Sequence, residues 1–195
     1  MSSEPRRRMD REQMLESAEA IVDRDGWSEL TMSALARELG LAVPSLYRHV
    51  RNLEALRGEL QCRTLRALGI ALERKAMGRS GETAMRALAT TFRRFAREHP
   101  HRYELAMREP VDREAFEQAS VEASRALTAV IRSYGIEDAS FEPHLSAFAA
   151  LHGAVSLESV GFFPSPTIAD AVFDRVLDSI LELLAAAAPG KARAG

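Results

Sequence analysis

Leu30 to Leu56 reads LTMSALARELGLAVPSLYRHVRNLEAL, and the fold follows from how that stretch is punctuated. Thr31 is a good N-cap for a short helix in which Met32, Leu35, Ala36 and Leu39 recur at the three- and four-residue spacing of one buried face. Gly40 ends that helix, and Gly40-Leu41-Ala42 forms a three-residue turn. A third helix is expected over Val43 to Val50, because Pro44 is tolerated only in a first helical turn, where its missing N–H costs nothing. Leu46 and Val50, four apart, face inward, leaving Val43, Ser45, Tyr47, Arg48 and His49 to project outward or along the flanks. Folding does not require such a polar and aromatic surface, whereas two short helices joined by a glycine turn can brace one element on a DNA backbone while the next enters the major groove. Thr31 and Ser33 then offer hydroxyls and free backbone N–H groups to phosphates, Tyr47 and His49 donate to phosphates, and Val43, Pro44 and Ser45 lie where base edges are reached. Arg48 fits either a bidentate pair with guanine or a phosphate, and the sequence leaves both open.

Working outward, a helix over Asp10 to Asp25 carries Met14, Ala18, Ile21 and Val22 on one face, is stopped by Gly26, and is followed by Trp27 and Leu30 covering the core. Downstream, helical patterns span Leu53 to Lys75, resume through Met85, Leu88, Phe92 and Phe95, break at His99-Pro100, and continue through Leu105 and Met107 to Pro110. Three more follow: Arg113 to Tyr134, Glu142 to Val160 and Ile168 to Ala188, the last with Phe173, Val176, Leu177, Ile180, Leu181 and Leu184 as a wide stripe. No β-branched alternation suggests a strand, so the fold class is all-α. The expected organisation is a flexible basic arm at 1–9 carrying Arg6, Arg7 and Arg8, a three-helix DNA-binding domain at 10–56, a helical domain at 57–188, and a disordered tail at 189–195.

Composition agrees with a soluble globular chain: 195 residues, 46% hydrophobic and 28% charged, enough to bury a core. A net charge of −2 provides no global basic field, so any attraction to nucleic acid must be local. The acids Asp10, Glu12, Glu16, Glu19, Asp23 and Asp25 crowd one helix, whereas Leu39 to Gly58 holds Arg48, His49, Arg51 and Arg57 against Glu54 alone. No apolar run approaches the roughly 18 residues that span a bilayer, and the N-terminus lacks the apolar stretch of a signal peptide; no membrane association and a cytoplasmic location are expected. The lone Cys62 has no partner for a disulfide or a cysteine metal site.

The Leu30 to Leu56 stretch, with the preceding AEAIVDRDGW, the threonine cap, the Gly40 turn and SLYRHV, resembles the DNA-binding domain of the TetR family of repressors. The resemblance implies base or phosphate contacts at Thr31, Ser33, Val43, Pro44, Ser45, Tyr47, Arg48 and His49. Ala42 stands where the family often has a serine or threonine cap, and Leu53 where it usually has lysine; Arg51 and the Arg6 to Arg8 arm are expected to compensate. AFAALHGAVSLESVGFF from Ala147 is similar to a helix of TetR-like regulators carrying a Trp-His-Gly-like signature, with Phe148 where tryptophan is frequent. The resemblance assigns regulation and dimerisation to the helical domain at 57–188 and implies a homodimer formed by the last two helices, with Ala147, Ala150, Ala154 and Gly161 permitting close approach. It also implies double-stranded, palindromic operator DNA as partner, and a small-molecule inducer that releases the repressor.

The remaining groups suggest no chemistry. His144 and His152 sit about 12 Å apart along a helix, and His99 and His101 flank Pro100 at a helix break, so no metal or other cofactor is expected. Ser156 and Glu158 near His152 cannot converge as a triad on one helix and read as polar contacts of an interface; with no phosphate loop or nucleophile elbow, an enzyme is not expected. Phe92, Phe95, Tyr103, Met107, Phe116, Phe148 and His152 are the candidates for an apolar ligand pocket, with core packing the default use of each aromatic. The competing function class is a helical ligand-binding or protein-interaction protein that keeps the TetR-like shape without binding operator DNA.

Overall fold

The computed structural model describes residues 10–136 and 142–188; the expected basic arm and C-terminal tail lie outside them. Among the described residues every regular element is helical, and the chain divides into two units. One runs to Thr64 and takes in His101–Glu117; the other takes Leu65–Pro100 and continues from Gln118.

In the first unit, α1 (Arg11–Asp25) starts at Asp10, whose Oδ1 accepts from the Glu12 N–H at 2.9 Å while its own N–H donates to Gln13 Oε1. A 3-10 turn, Trp27–Glu29, leads to α2 (Met32–Glu38), and Thr31 Oγ1 accepts from the Ala34 N–H at 3.0 Å, the cap its sequence position predicts. Gly40, at φ +64°, reverses the chain in a conformation that a side chain would strain, and the Leu41 N–H returns to the Ala36 carbonyl at 2.8 Å. The next helix, α3, covers only Val43–Leu46, shorter than the expected Val43 to Val50. Past Leu46 the chain tightens into a turn in which the Leu46 carbonyl accepts from both the His49 and Val50 N–H groups. α4 (Leu53–Ala76) is capped by Asn52, whose Oδ1 accepts from the Ala55 N–H at 2.8 Å. Met14, Ala18, Ile21, Val22, Leu30, Leu35, Leu46, Leu56 and Leu60 form the core, closed by Leu105 of α6 (Pro100–Ala106). Each fully buried leucine here contributes about 1.5–3 kcal/mol of transfer free energy.

The second unit comprises the rest of α4, then α5 (Gly81–Glu98), most of α7 (Arg113–Arg132), α8 (Glu142–Ser159) and α9 (Pro166–Ala187). α8 packs on α9 and on α5. Leu88, Phe92, Val130, Ile131, Leu151, Val155, Phe173, Leu177 and Leu184 are buried. Within this unit Gly69 of α4 meets α7 so closely that a Cβ would lie 2.8 Å from the Ala123 Cα. Ser165 caps α9 through the Ile168 N–H, and Pro166 occupies its first position.

Candidate nucleic-acid interface

Burial separates the two faces of α3 and its following turn. Leu46 is wholly buried and Val50 is 4% exposed, while Tyr47 is 52% exposed. Pro44 and Arg48 are exposed as well, and Ser45 and His49 are half-buried flanks. Thr31 and Ser33 are exposed at the start of α2, and the Thr31 oxygen that caps Ala34 retains a hydroxyl proton to donate. Val43 is a half-buried flank too, and it packs against the core. Ala42 leaves α3 without a side-chain cap, and Leu53 adds its apolar side chain to the core.

Charge accounting locates the surface more sharply than composition does. Glu12, Glu19 and Asp23 of α1 are answered by arginines from distant positions, and Asp25 by the neighbouring Arg24. Arg63 meets Glu12 at 2.6 Å and Glu19 at 3.0 Å, Arg102 meets Asp23 at 2.8 Å, and Arg24 joins Asp25 and Glu38. Arg11 pairs with Glu59, Arg57 with Glu54, Arg108 with Glu104 and Arg113 with Glu117. What remains among the described arginines of this unit is Arg37, Arg48 and Arg51, all exposed and none engaged with a carboxylate. They lie on α2, in the turn after α3 and in the link to α4, so the uncompensated positive charge sits at the helix-turn-helix. Arg37 and the Asn52 cap were not singled out by sequence. Arg37 occupies an ordinary solvent position of a helix pattern, and only the pairing of its neighbours distinguishes it.

The candidates for an apolar pocket divide between the units. Tyr103, Met107 and Phe116 belong to the first; Tyr103 is buried, and burial pushes its phenol well above the usual range. Phe92, Phe95, Phe148 and His152 belong to the second. There Phe92 meets Phe148 edge-on at 6.1 Å between centroids, Phe148 stacks on His152 at 5.6 Å, and Phe95 contacts His99. Burial lowers the His152 pKa and favours its neutral form.

Two expectations for α8 need correction. Ala147 and Ala154 are buried by their own subunit, because α8 turns that face to α9 and α5, while Ala150 and Gly161 keep surface area. Glu158 is not left for an interface: it accepts from Arg93 Nε at 2.7 Å and from Arg97 Nε at 2.8 Å. Asp170 pairs with Arg93 at 2.7 Å, and the Arg93 guanidinium lies 4.5 Å from the Phe173 ring centroid. Burial pushes the Glu158 carboxyl up, but the arginine hydrogen bonds outweigh it and hold the group below its usual range. Asp170 is lowered chiefly by its bond from Arg93.

Among the described residues no cluster of three or more His, Cys, Asp or Glu could hold a metal ion, and no helix is long and apolar enough to cross a membrane. Residues 14–60 match the family described as bacterial regulatory proteins, tetR family, and residues 85–180 match tetracyclin repressor-like, C-terminal domain. An uncharacterized HTH-type transcriptional regulator of Mycobacterium tuberculosis (strain ATCC 25618 / H37Rv) is 36% identical over 181 residues, covering 91% of this chain and 81% of that protein. Another, from Bacillus subtilis (strain 168), is 33% identical over 103 residues, 53% of this chain and 54% of its own length. A solved structure of a protein with unknown function from Rhodococcus sp. RHA1 has a TM-score of 0.76 at 24% identity, covering 94% of this chain and 100% of that one, which is a likeness of fold.

Proposed function

The chain belongs to the TetR family and is an HTH-type transcriptional regulator, and from that premise we propose that it is a cytoplasmic homodimeric repressor that binds a palindromic operator and leaves it when a small apolar inducer binds. The observation that carries operator binding is the pairing pattern: in the first unit, Arg37, Arg48 and Arg51 alone among the described arginines lack a carboxylate, and they flank the exposed Tyr47 and Pro44. In this reading α3 enters the major groove with Pro44, Ser45 and Arg48 toward base edges and Val43 bracing them from the core side. Thr31, Ser33, Tyr47, His49 and Arg51 hold phosphates and set the register.

Dimerisation through α8 and α9 is supported by an apolar surface that the subunit does not cover itself. Leu145 and Phe148 are exposed three residues apart on α8, and Ile168 and Leu183 are exposed on α9. Two copies of such a pair form a four-helix bundle, and a two-fold axis presents two α3 helices to two half-sites about one helical turn or somewhat more apart. The inducer contacts proposed are Phe92, Phe148 and His152, whose rings already touch in one cluster, and Phe95, which contacts His99. An inducer releases the operator only through a preference for the state that binds DNA less well.

Selection of sites from random duplex DNA by the purified chain tests the reading. One enriched palindrome, lost with Tyr47→Ala, is the expected result; no enrichment at low salt by ligand-free protein overturns it.

A further inference from the structure

Trp27, the chain's one tryptophan, sits in the 3-10 turn that delivers the chain into Thr31 and α2. Its indole N–H donates to Glu104 Oε1 at 3.0 Å. The Arg108 guanidinium lies 3.9 Å from its ring centroid, and Arg108 also donates to the same Glu104 oxygen at 3.2 Å. Arg57 lies over the ring at 5.1 Å and donates to the Leu30 carbonyl at 3.4 Å, one residue before the α2 cap. The segment that supplies Glu104 and Arg108 is itself fixed from below. Buried Gln61 donates to the Leu105 and Glu109 carbonyls at 3.1 and 3.2 Å and accepts from the Val111 N–H at 3.2 Å, while Arg102 grips Asp23 of α1.

We propose that Arg108 and Glu104, more than seventy residues from Trp27 in sequence, are positioning residues for DNA binding: through Trp27 they hold the 3-10 turn, and with it the Thr31 and Ser33 hydroxyls, at the height a phosphate requires. The inference rests on the operator reading above. A cation over an indole ring favours one placement of that ring, and a carboxylate accepting from both the indole and the guanidinium locks the two together. Loss of either partner frees the turn to tilt without opening the leucine core beneath it. Arg108 is ion-paired and outside the helix-turn-helix, so its charge has no phosphate assignment of its own.

The test measures affinity for the selected operator with wild-type chain, Arg108→Ala, Arg108→Lys, Thr31→Ala and the Arg108→Ala/Thr31→Ala double variant, beside Trp27 fluorescence. Arg108→Ala is expected to weaken operator binding about three- to tenfold and to change the Trp27 emission. Lysine restores the charge but not the flat guanidinium, so Arg108→Lys is expected to remain weak. Because both substitutions act at one contact, the double variant should bind little worse than Thr31→Ala. Full affinity in Arg108→Ala, full rescue by lysine, or additive losses would each overturn the proposal. Glu104→Gln, which keeps an acceptor for the indole but not the charge facing Arg108, is expected to weaken binding in the same direction, and unchanged affinity there is equally fatal. If wild-type chain selects no site, the operator reading fails and takes this inference with it; a selected site bound equally by all variants removes this inference alone.

Discussion

Arg51→Ala should flatten the salt dependence of operator binding without loosening the fold. Arg51 is exposed and touches no carboxylate, so its removal strands no partner inside the protein. Each arginine neutralising one phosphate contributes about 0.9 to the slope of log affinity against log salt, and a two-fold dimer carries each substitution twice, giving a slope shallower by about 1.8. Between about 50 and 200 mM salt the wild-type dimer should therefore lose roughly twelvefold more affinity than the variant does. Arg63→Ala is the control: its guanidinium is spent on Glu12 and Glu19, so it should leave the slope unchanged. Fluorescence anisotropy with a labelled operator across four salt concentrations measures both. An Arg51→Ala slope equal to wild type, or an Arg63→Ala slope reduced as much, would refute the charge accounting that points to this surface. Arg48→Ala then separates its two uses, because a lost phosphate contact lowers the slope, whereas a lost guanine pair relaxes discrimination at one base.

Leu46→Ala should cost about 2–5 kcal/mol in chemical denaturation, since this wholly buried side chain anchors α3 to the core; a loss below about 1 kcal/mol would mean that α3 is held some other way. Glu158 and Asp170 are held below their usual pKa range, so the stability they supply is present at neutral pH and is lost as pH falls through about 4 toward the lowered values. Glu158→Gln should accordingly show lower stability at pH 7 and a shallower acid dependence in urea titrations, and an unchanged dependence would sink the assignment. Gly69→Ala sets about 1 kcal/mol of helix propensity against about 1–3 kcal/mol of overpacking at the Ala123 backbone. Calorimetry should therefore find a lower melting temperature, and a higher one would show that α7 yields there.

The helices, the Thr31 cap and the Gly40 turn are legible because each carries its own signal within three or four residues of where it stands, whereas the caps at Asp10, Asn52 and Ser165 are found only in the structure. α3 was overestimated because Leu46 and Val50 keep helical spacing even where the Leu46 carbonyl, shared by two donors, winds the chain tighter. The charge surface was only half legible. The acids of α1 are visible as a cluster, and Arg24 beside Asp25 is a local pair, but the arginines that meet Glu12, Glu19 and Asp23 come from positions 63 and 102, and no local pattern pairs them. Arg93 is buried next to Phe92 and gave no warning, since the carboxylates that make its burial tolerable arrive from the α8 and α9 ends. Alanines on α8 look identical whether they meet the same subunit or another one. For that reason the sequence does not tell that Ala147 and Ala154 are already buried within their own chain.

The hold of Gln61 on Leu105, Glu109 and Val111 spans 44 to 50 residues of sequence, which makes the DNA-reading unit a late product of synthesis. A ribosome adding roughly 5–20 residues per second finishes α3 seconds before it supplies the α6 segment that braces α1 and the Trp27 turn. A nascent chain that ends before Glu104 thus carries α3 without the segment that Gln61 holds and without the carboxylate that accepts from Trp27.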